Sequence, residues 1–352
     1  MSRFLQLHLL TFYPPANLNR DDTGRPKTAL IGGTMRLRVS SQSLKRAWRT
    51  SDLWRTSDLF HTALAGHLAS RTQRLGELIL DRLLAGGMSE APALAEARSI
   101  AGVFGKLKEA TDKNPARIEQ LAFISPQERA AALAMADRVL AGEVVTPQPE
   151  NLLLRTDTAV DLAMFGRMLA ADPDYNREAA VQVAHAFTTH AVAVEDDFYT
   201  AVDDLKKPSE DAGAGFVGEA GFGSGVFYLY ICIDRMLLLR NLGGSDSADL
   251  ATTAVAALVE AAATVSPGGK QASFASRAHA HYVLAERGDA QPRTLGGAFA
   301  EPVGGDPVTA SVTALRSWRD GMDKAYGAPA ARAEMEVGQD GSLADVIAFC
   351  RG

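Results

Sequence analysis

The stretch Met35-Arg36-Leu37-Arg38-Val39-Ser40-Ser41-Gln42-Ser43-Leu44-Lys45-Arg46-Ala47-Trp48-Arg49 decides how the rest of this chain is read. Met35, Leu37 and Val39 alternate with Arg36 and Arg38, the period of a strand with arginines on one face. Ser40 and Ser41 then cap a helix that starts near Gln42. Lys45 and Arg49 stand four residues apart and share a helix face, with Arg46 alongside. The serines and the first amides of the helix make an anion site. The cations beside it suit a phosphate backbone, as contacts that position and do not read bases. The plainer alternative is a solvated basic face, and composition does not separate the two.

Charge is unevenly spread. The whole chain carries −6, yet residues 1–55 hold ten Arg and Lys against three Asp, a net +7, which leaves −13 for the rest. A basic zone inside an acidic protein calls for a polyanion or an acidic partner. With 352 residues and 47% hydrophobic content the chain has room for one large domain or two smaller ones. No apolar run is long enough to span a membrane, and the first residues do not read as a signal peptide. Two cysteines, Cys232 and Cys350, cannot build a disulfide framework, so a cytoplasmic location is expected.

Outward from the opening stretch, Phe4–Leu10 alternates as a half-buried strand, and 14–33 reads as a long loop carrying Arg20 and Lys27. Arg20 and Lys27 add cations beside the helix; the plainer alternative is a solvent-exposed loop in which Asp21 and Asp22 neutralise Arg20. Trp48–Leu59 contains a tandem Trp-Arg-Thr-Ser-Asp-Leu, read as a local duplication. From about 60 to 181 the spacing is helical, with Leu75, Leu78, Ile79 and Leu83 in one example and Ile118 and Leu121 in another. The stretch 195–225 opens acidic and ends Gly-rich, which suits a mobile hairpin. Val226–Ile233 reads as a central strand, 249–265 and 309–326 as helices, and 273–284 as a strand with Arg277, His279 and His281 on one parity. The fold class is α+β.

Five further features bear on chemistry. Phe198-Tyr199 at the root of the hairpin can stack on bases or be ordinary strand aromatics. Met164 sits in an apolar helical stripe, where methionine is usually core. Asp196, Asp197, Asp203 and Asp204 with Glu195 offer oxygen ligands, but without the spacing of a calcium loop. His8, His279 and His281 lack carboxylate or thiol companions in sequence, so neither a metal nor another cofactor is expected. Ser266–Gln271 either presents Lys270 to an anion or is a plain turn after the Ala-rich helix. No nucleophile elbow, Walker loop or zinc-protease motif occurs.

Six motifs carry a resemblance. They are 18–22 (LNRDD), 38–47 (RVSSQSLKRA), 163–168 (AMFGRM), 182–190 (QVAHAFTTH), 194–197 (VEDD) and 268–277 (GGKQASFASR). In order and content they resemble the CasC backbone subunits of type I-E CRISPR Cascade, from residue 4 to about 296. The resemblance implies an RRM-like (ferredoxin-like) palm at 1–58, 182–193 and 226–352. It implies helical fingers inserted at 59–181 and a thumb hairpin at 194–225. It implies a non-catalytic protein that binds CRISPR RNA, stacks head to tail with copies of itself, presents the guide to target DNA and joins other Cascade subunits. Arg20, Lys27, Ser40, Gln42, Lys45, Arg46 and Arg49 are then expected to cradle the RNA backbone, and Lys270 to add a cation. Met164 is expected to splay a base, with Phe198 and Tyr199 beside the kinked nucleotide. Two rival functions remain open on sequence: a metal-dependent ribonuclease using the acidic cluster, and a protein-interaction module that docks an acidic partner.

Overall fold

The computed structural model describes residues 2–51, 64–169, 171–201 and 216–352, with the side chains of Phe216 and Val217 excepted. The second half of the Trp-Arg-Thr-Ser-Asp-Leu duplication, Asp203, Asp204, Gly213 and Gly215 lie outside the described residues. The fold is mixed α+β with an antiparallel sheet. The strands are β1 (Phe4–Ala16), β2 (Thr28–Ile31), β3 (Thr34–Val39), β4 (Ser70–Thr72), β5 (Ala122–Ile124), β6 (Val181–Val183), β7 (Ala186–Thr188), β8 (Glu195–Ala201), β9 (Phe216–Asp234), β10 (Tyr282–Gly288) and β11 (Ala331–Glu336). The chain divides into two compact units. One comprises Met1–Trp54, Val183–Cys232 and Val255–Gly352; the other comprises Arg55–Gln182 and Ile233–Ala254. No described helix is long and apolar enough to cross a membrane.

The first unit is built on the sheet order β11–β10–β1–β9–β7–β3–β2. The helix Pro307–Tyr326 supplies Val312 and Leu315 to a core with Leu10, Tyr228, Tyr282, Leu284, Leu295 and Phe299. Alternation in Phe4–Leu10 predicts one wet face, but β1 is buried on both. The polar parity is covered because it finds partners. Gln6 Oε1 accepts from Tyr230 Oη at 2.8 Å and from the Arg293 amide at 2.7 Å. His8 Nδ1 lies 2.9 Å from Tyr228 Oη, and Glu286 lies 3.6 Å from His8 Nε2. A polar group inside a sheet survives only with such satisfaction.

The expected strand over 273–284 forms only from Tyr282 onward. Lys270 and Ala275 adopt φ of 51° and 46°, left-handed values that enclose a single helical turn, Gln271–Phe274, and break strand geometry there. Gln271 Nε2 holds the turn by donating to the Pro267 carbonyl at 2.9 Å.

In the second unit the helices Leu75–Ala85, Glu90–Ala101 and Pro126–Leu140 pack Leu75, Ile79, Leu83, Ala97, Ile100 and Met135 together, with Phe104 added by the short 3-10 helix Gly102–Phe104. Ile118 joins that core from a loop, paired with Leu107, and not from a helix. Pro115 interrupts helical hydrogen bonding just ahead of it. Ser125 and Glu128 form a capping box at the start of Pro126–Leu140. Glu128 also pairs, fully buried, with Arg167 at 2.7 Å.

Candidate nucleic-acid interface

Helix α1 (Ser41–Arg49) follows β3 directly. Ser40 is its N-cap, with φ −70° and ψ 146°, and its Oγ accepts from the Ser43 amide at 3.3 Å. Leu44 and Trp48, one turn apart, are buried and fix the helix on the first unit. Gln42 and Arg46 face solvent, Lys45 is half-buried and Arg49 is buried. Burial pulls the Lys45 ammonium below its ordinary value.

The sequence groups the cap and the cations on one turn, and the structure separates them. Ser40 closes the amino end of α1, while Arg46 and Arg49 occupy its last turn. There the helix dipole favours them without any ligand. Ser40 Oγ is already engaged within the cap.

The loop 17–27 is pinned from several sides. The Asn19 side-chain oxygen accepts from the Ser40 amide at 2.9 Å, and the Asn19 carbonyl accepts from the Lys27 amide at 2.8 Å. Buried Asn17 donates to the carbonyls of Gly24 at 3.0 Å and Gly221 at 2.9 Å. Asp21 does not pair with Arg20 here. Its Oδ1 accepts from the Thr23 hydroxyl at 2.8 Å and from the amides of Thr23 and Arg25 at 2.9 and 3.0 Å. The Thr23 hydroxyl first, and then these amides, hold its carboxyl below the usual range. Arg20 is left exposed at the mouth of a groove.

That groove, about 970 Å³, lies between the loop, α1 and the turn after the helix Ala248–Thr264. Arg20, Arg46, Arg277 and His279 bring cationic or protonatable groups to it. Gly268 and Gly269 form its floor on one side. A Cβ at Gly269 would run into the carbonyl oxygens of Leu18 and Asn17, so only glycine lets the two backbones meet. Lys270 follows at once, half-buried. Arg277 and His279 are groove residues that strand parity did not reveal, because the loop conformation of 275–281 places them. A second basic cluster lies on β3 and the turn before β7. Arg38 Nη1 is 2.6 Å from His185 Nδ1, and Lys27 is near enough to act on the same ring.

β8 and β9 form a hairpin with Glu195 opposite Phe222 and Ala201 opposite Phe216. The Gly-rich segment expected to be loose is strand from Phe216 on. Its glycines allow close packing: a Cβ at Gly223 would press on Leu37, and one at Gly225 on Thr188 and His190. Phe198 is 70% exposed. It shares a face with Asp196 and, through the register, with Glu219 opposite it. Arg25 reaches that face, 2.9 Å from Asp196 and 3.5 Å from Glu219. Tyr199, on the other face, is also exposed. Among the described residues no three His, Cys, Asp or Glu side chains converge as a metal site.

Met164 is fully buried in the helix Val160–Phe165, so the core reading of that stripe describes it. Met168, in the same motif, is 88% exposed. It follows Arg167, whose backbone pairs with Arg177 and whose guanidinium is locked to Glu128. Sequence pattern favoured the methionine in the helical stripe; exposure singles out the other.

The chain belongs to the family of CT1975-like proteins, whose model (Cas_CT1975) matches residues 5–346. It is similar over 99% of its length to 98% of a chain in a solved structure titled "CRISPR RNA-guided surveillance complex, pre-nicking", with 30% identity and a TM-score of 0.83. A chain of another "CRISPR RNA-guided surveillance complex" matches at 27% identity and a TM-score of 0.71, over 97% of this chain and 94% of that one. No curated protein matches.

Proposed function

We propose that this chain is the non-catalytic CRISPR RNA-binding backbone subunit, CasC, of a type I-E Cascade surveillance complex in the cytoplasm. On this reading the sheet unit is an RRM-like palm, the helical unit is the fingers and the β8–β9 hairpin is the thumb. The groove bounded by Arg20, Arg46 and Arg277, within a chain matched end to end by surveillance-complex chains, carries the proposal.

The chemistry suits the role. A protein that holds a guide for pairing must grip phosphates and leave Watson–Crick edges free, so that base pairing reads the target DNA. Cations on a pinned loop and on a short helix do this. Phe198 and Tyr199 supply exposed ring surface for an unstacked base. Met168 replaces Met164 as the exposed apolar wedge from the fingers. Copies aligned head to tail along the guide would meet through two different surfaces, a heterologous contact whose length the RNA limits.

Co-expression with a CRISPR array tests this. The purified protein should carry RNA of guide length, in assemblies larger than one chain that RNase treatment disperses. Protein that emerges free of nucleic acid and unassembled would end the proposal. Specific Mg²⁺-dependent cleavage of guide–target duplex, lost on Asp196→Ala or Asp197→Ala, would favour a ribonuclease instead.

A further inference from the structure

The groove accounts for Arg20 and Arg46 but not for the second basic cluster. Lys27 ends the pinned loop, Arg38 lies on β3 and His185 lies between β6 and β7. The Arg38 amide donates to the Lys27 carbonyl at 2.8 Å, which fixes the two residues side by side. Arg38 Nη1, a donor only, reaches His185 Nδ1 at 2.6 Å, so that nitrogen must accept and the ring is neutral. The charged groups that act on His185 are Arg38 from β3 and Lys27 from the loop. The Arg38 guanidinium also donates from Nε to the Thr28 carbonyl at 3.5 Å, and among the described residues no carboxylate forms an ion pair with Lys27 or Arg38. His185 is exposed, and Lys27 and Arg38 are half-buried. Two fixed positive charges therefore converge on an accessible imidazole with no anion between them.

We propose that Lys27, Arg38 and His185 together hold one phosphodiester group of the bound RNA, with His185 taking a proton from solvent as the phosphate arrives. The inference rests on the RNA-binding reading above and adds a proton-linked contact to it. Without an anion, burial first, and then Arg38 and Lys27, hold the imidazole below its ordinary value. A phosphate oxygen placed among the three groups reverses the balance. It accepts from Arg38 in place of Nδ1, frees that nitrogen to bind a proton, and draws a charge-assisted hydrogen bond from the imidazolium. Binding then consumes up to one proton per site, so affinity rises as pH falls through the histidine range.

The test compares wild type with His185→Gln, an exposed change that spares folding, using a single-stranded RNA oligonucleotide at fixed ionic strength. Between about pH 8 and about pH 6 the wild type should tighten by roughly three- to tenfold, inside the ceiling of about a hundredfold that one proton taken up over about two pH units sets. Calorimetry in two buffers of different ionisation heat should show net proton uptake. His185→Gln should lose that increment and that uptake, whatever its affinity near pH 8. His279 in the groove is present in both proteins and cancels from the comparison. Equal pH dependence and equal proton uptake in the two proteins would overturn the clamp. If Arg46→Ala also weakens binding in that case, the RNA reading stands without it. If wild type binds no RNA at any pH, both readings fail.

Discussion

Arg25 Nη1 lies 2.9 Å from Asp196 Oδ1 and so ties the loop that carries Arg20 to the hairpin that carries Phe198. Both side chains are partly exposed, so the pair adds at most about 1 kcal/mol to stability. Its consequence is local order on the Phe198 face. Arg25→Ala should leave the urea midpoint nearly unchanged while the amides of Glu195–Ala201 exchange faster. Unchanged exchange across β8 would show that Asn17, which also reaches the hairpin through Gly221, suffices alone.

The methionine pair separates packing from exposure. Met164→Ala opens a cavity in a filled interior and should cost about 2–5 kcal/mol. Met168→Ala removes an exposed side chain and should stay within about 0.5 kcal/mol, as surface changes usually do. Chemical probing of the bound guide is the functional half of the test. Met168→Ala, like Phe198→Ala with Tyr199→Ala, should alter the periodic reactivity pattern. A pattern unmoved in the Met168 variant would remove that residue from the interface.

Much of the architecture was legible because it depends on local rules. The β3–α1 junction followed from alternation and a capping serine. The helices 248–264 and 307–326 followed from composition and spacing. What escaped was tertiary. Gln6 and His8 read as a wet face because their partners, Tyr230, Arg293 and Glu286, lie more than two hundred residues away. Gly221, Gly223 and Gly225 read as a loose segment because their reason for being glycine is the side chains packed across from them. Arg277 and His279 join Arg20 and Arg46 only because Lys270 and Ala275 accept left-handed backbone, which no periodicity announces. Lys27 was visible as a cation, but its convergence with Arg38 and His185 needed the pairing of β3 with β7.

The His8 cluster predicts an acid limit to stability. Burial, the largest influence, holds His8 below its ordinary value despite Glu286 beside it. The folded state therefore keeps His8 neutral at a pH where the unfolded chain takes up a proton. Its contribution is complete above about pH 6.5 and is lost as pH falls below that. Burial works against ionised Glu286, but His8, Arg293 and Arg332 outweigh it, and its carboxyl sits below the usual range. Glu286 thus adds a further loss at lower pH. His8→Gln cannot take a proton, so its urea midpoint should fall less than that of wild type between about pH 7 and about pH 5. Parallel slopes would remove His8 from the account.

Arg167 and Glu128 form the most consequential pair in the second unit, because one carboxylate serves three purposes. Glu128 completes the capping box by accepting from the Ser125 amide at 3.0 Å, accepts from the Leu154 amide at 3.0 Å, and meets Arg167 with both oxygens at 2.7 Å. Arg167 in turn donates to the carbonyls of Leu154 and Tyr175, each at 3.2 Å, and so fixes the segment that ends in exposed Met168. Arg167→Met leaves Glu128 buried without its counter-charge, which should cost about 3–5 kcal/mol. Glu128→Gln keeps hydrogen-bonding capacity but strands the guanidinium, and a loss of similar size is expected. The two changes combined should be milder than their sum, because neither then strands a charge. Urea denaturation of the four proteins closes the cycle. Strict additivity would mean that the two groups stabilise the unit independently, and that Met168 is held by the Arg167–Arg177 backbone pairing rather than by the ion pair.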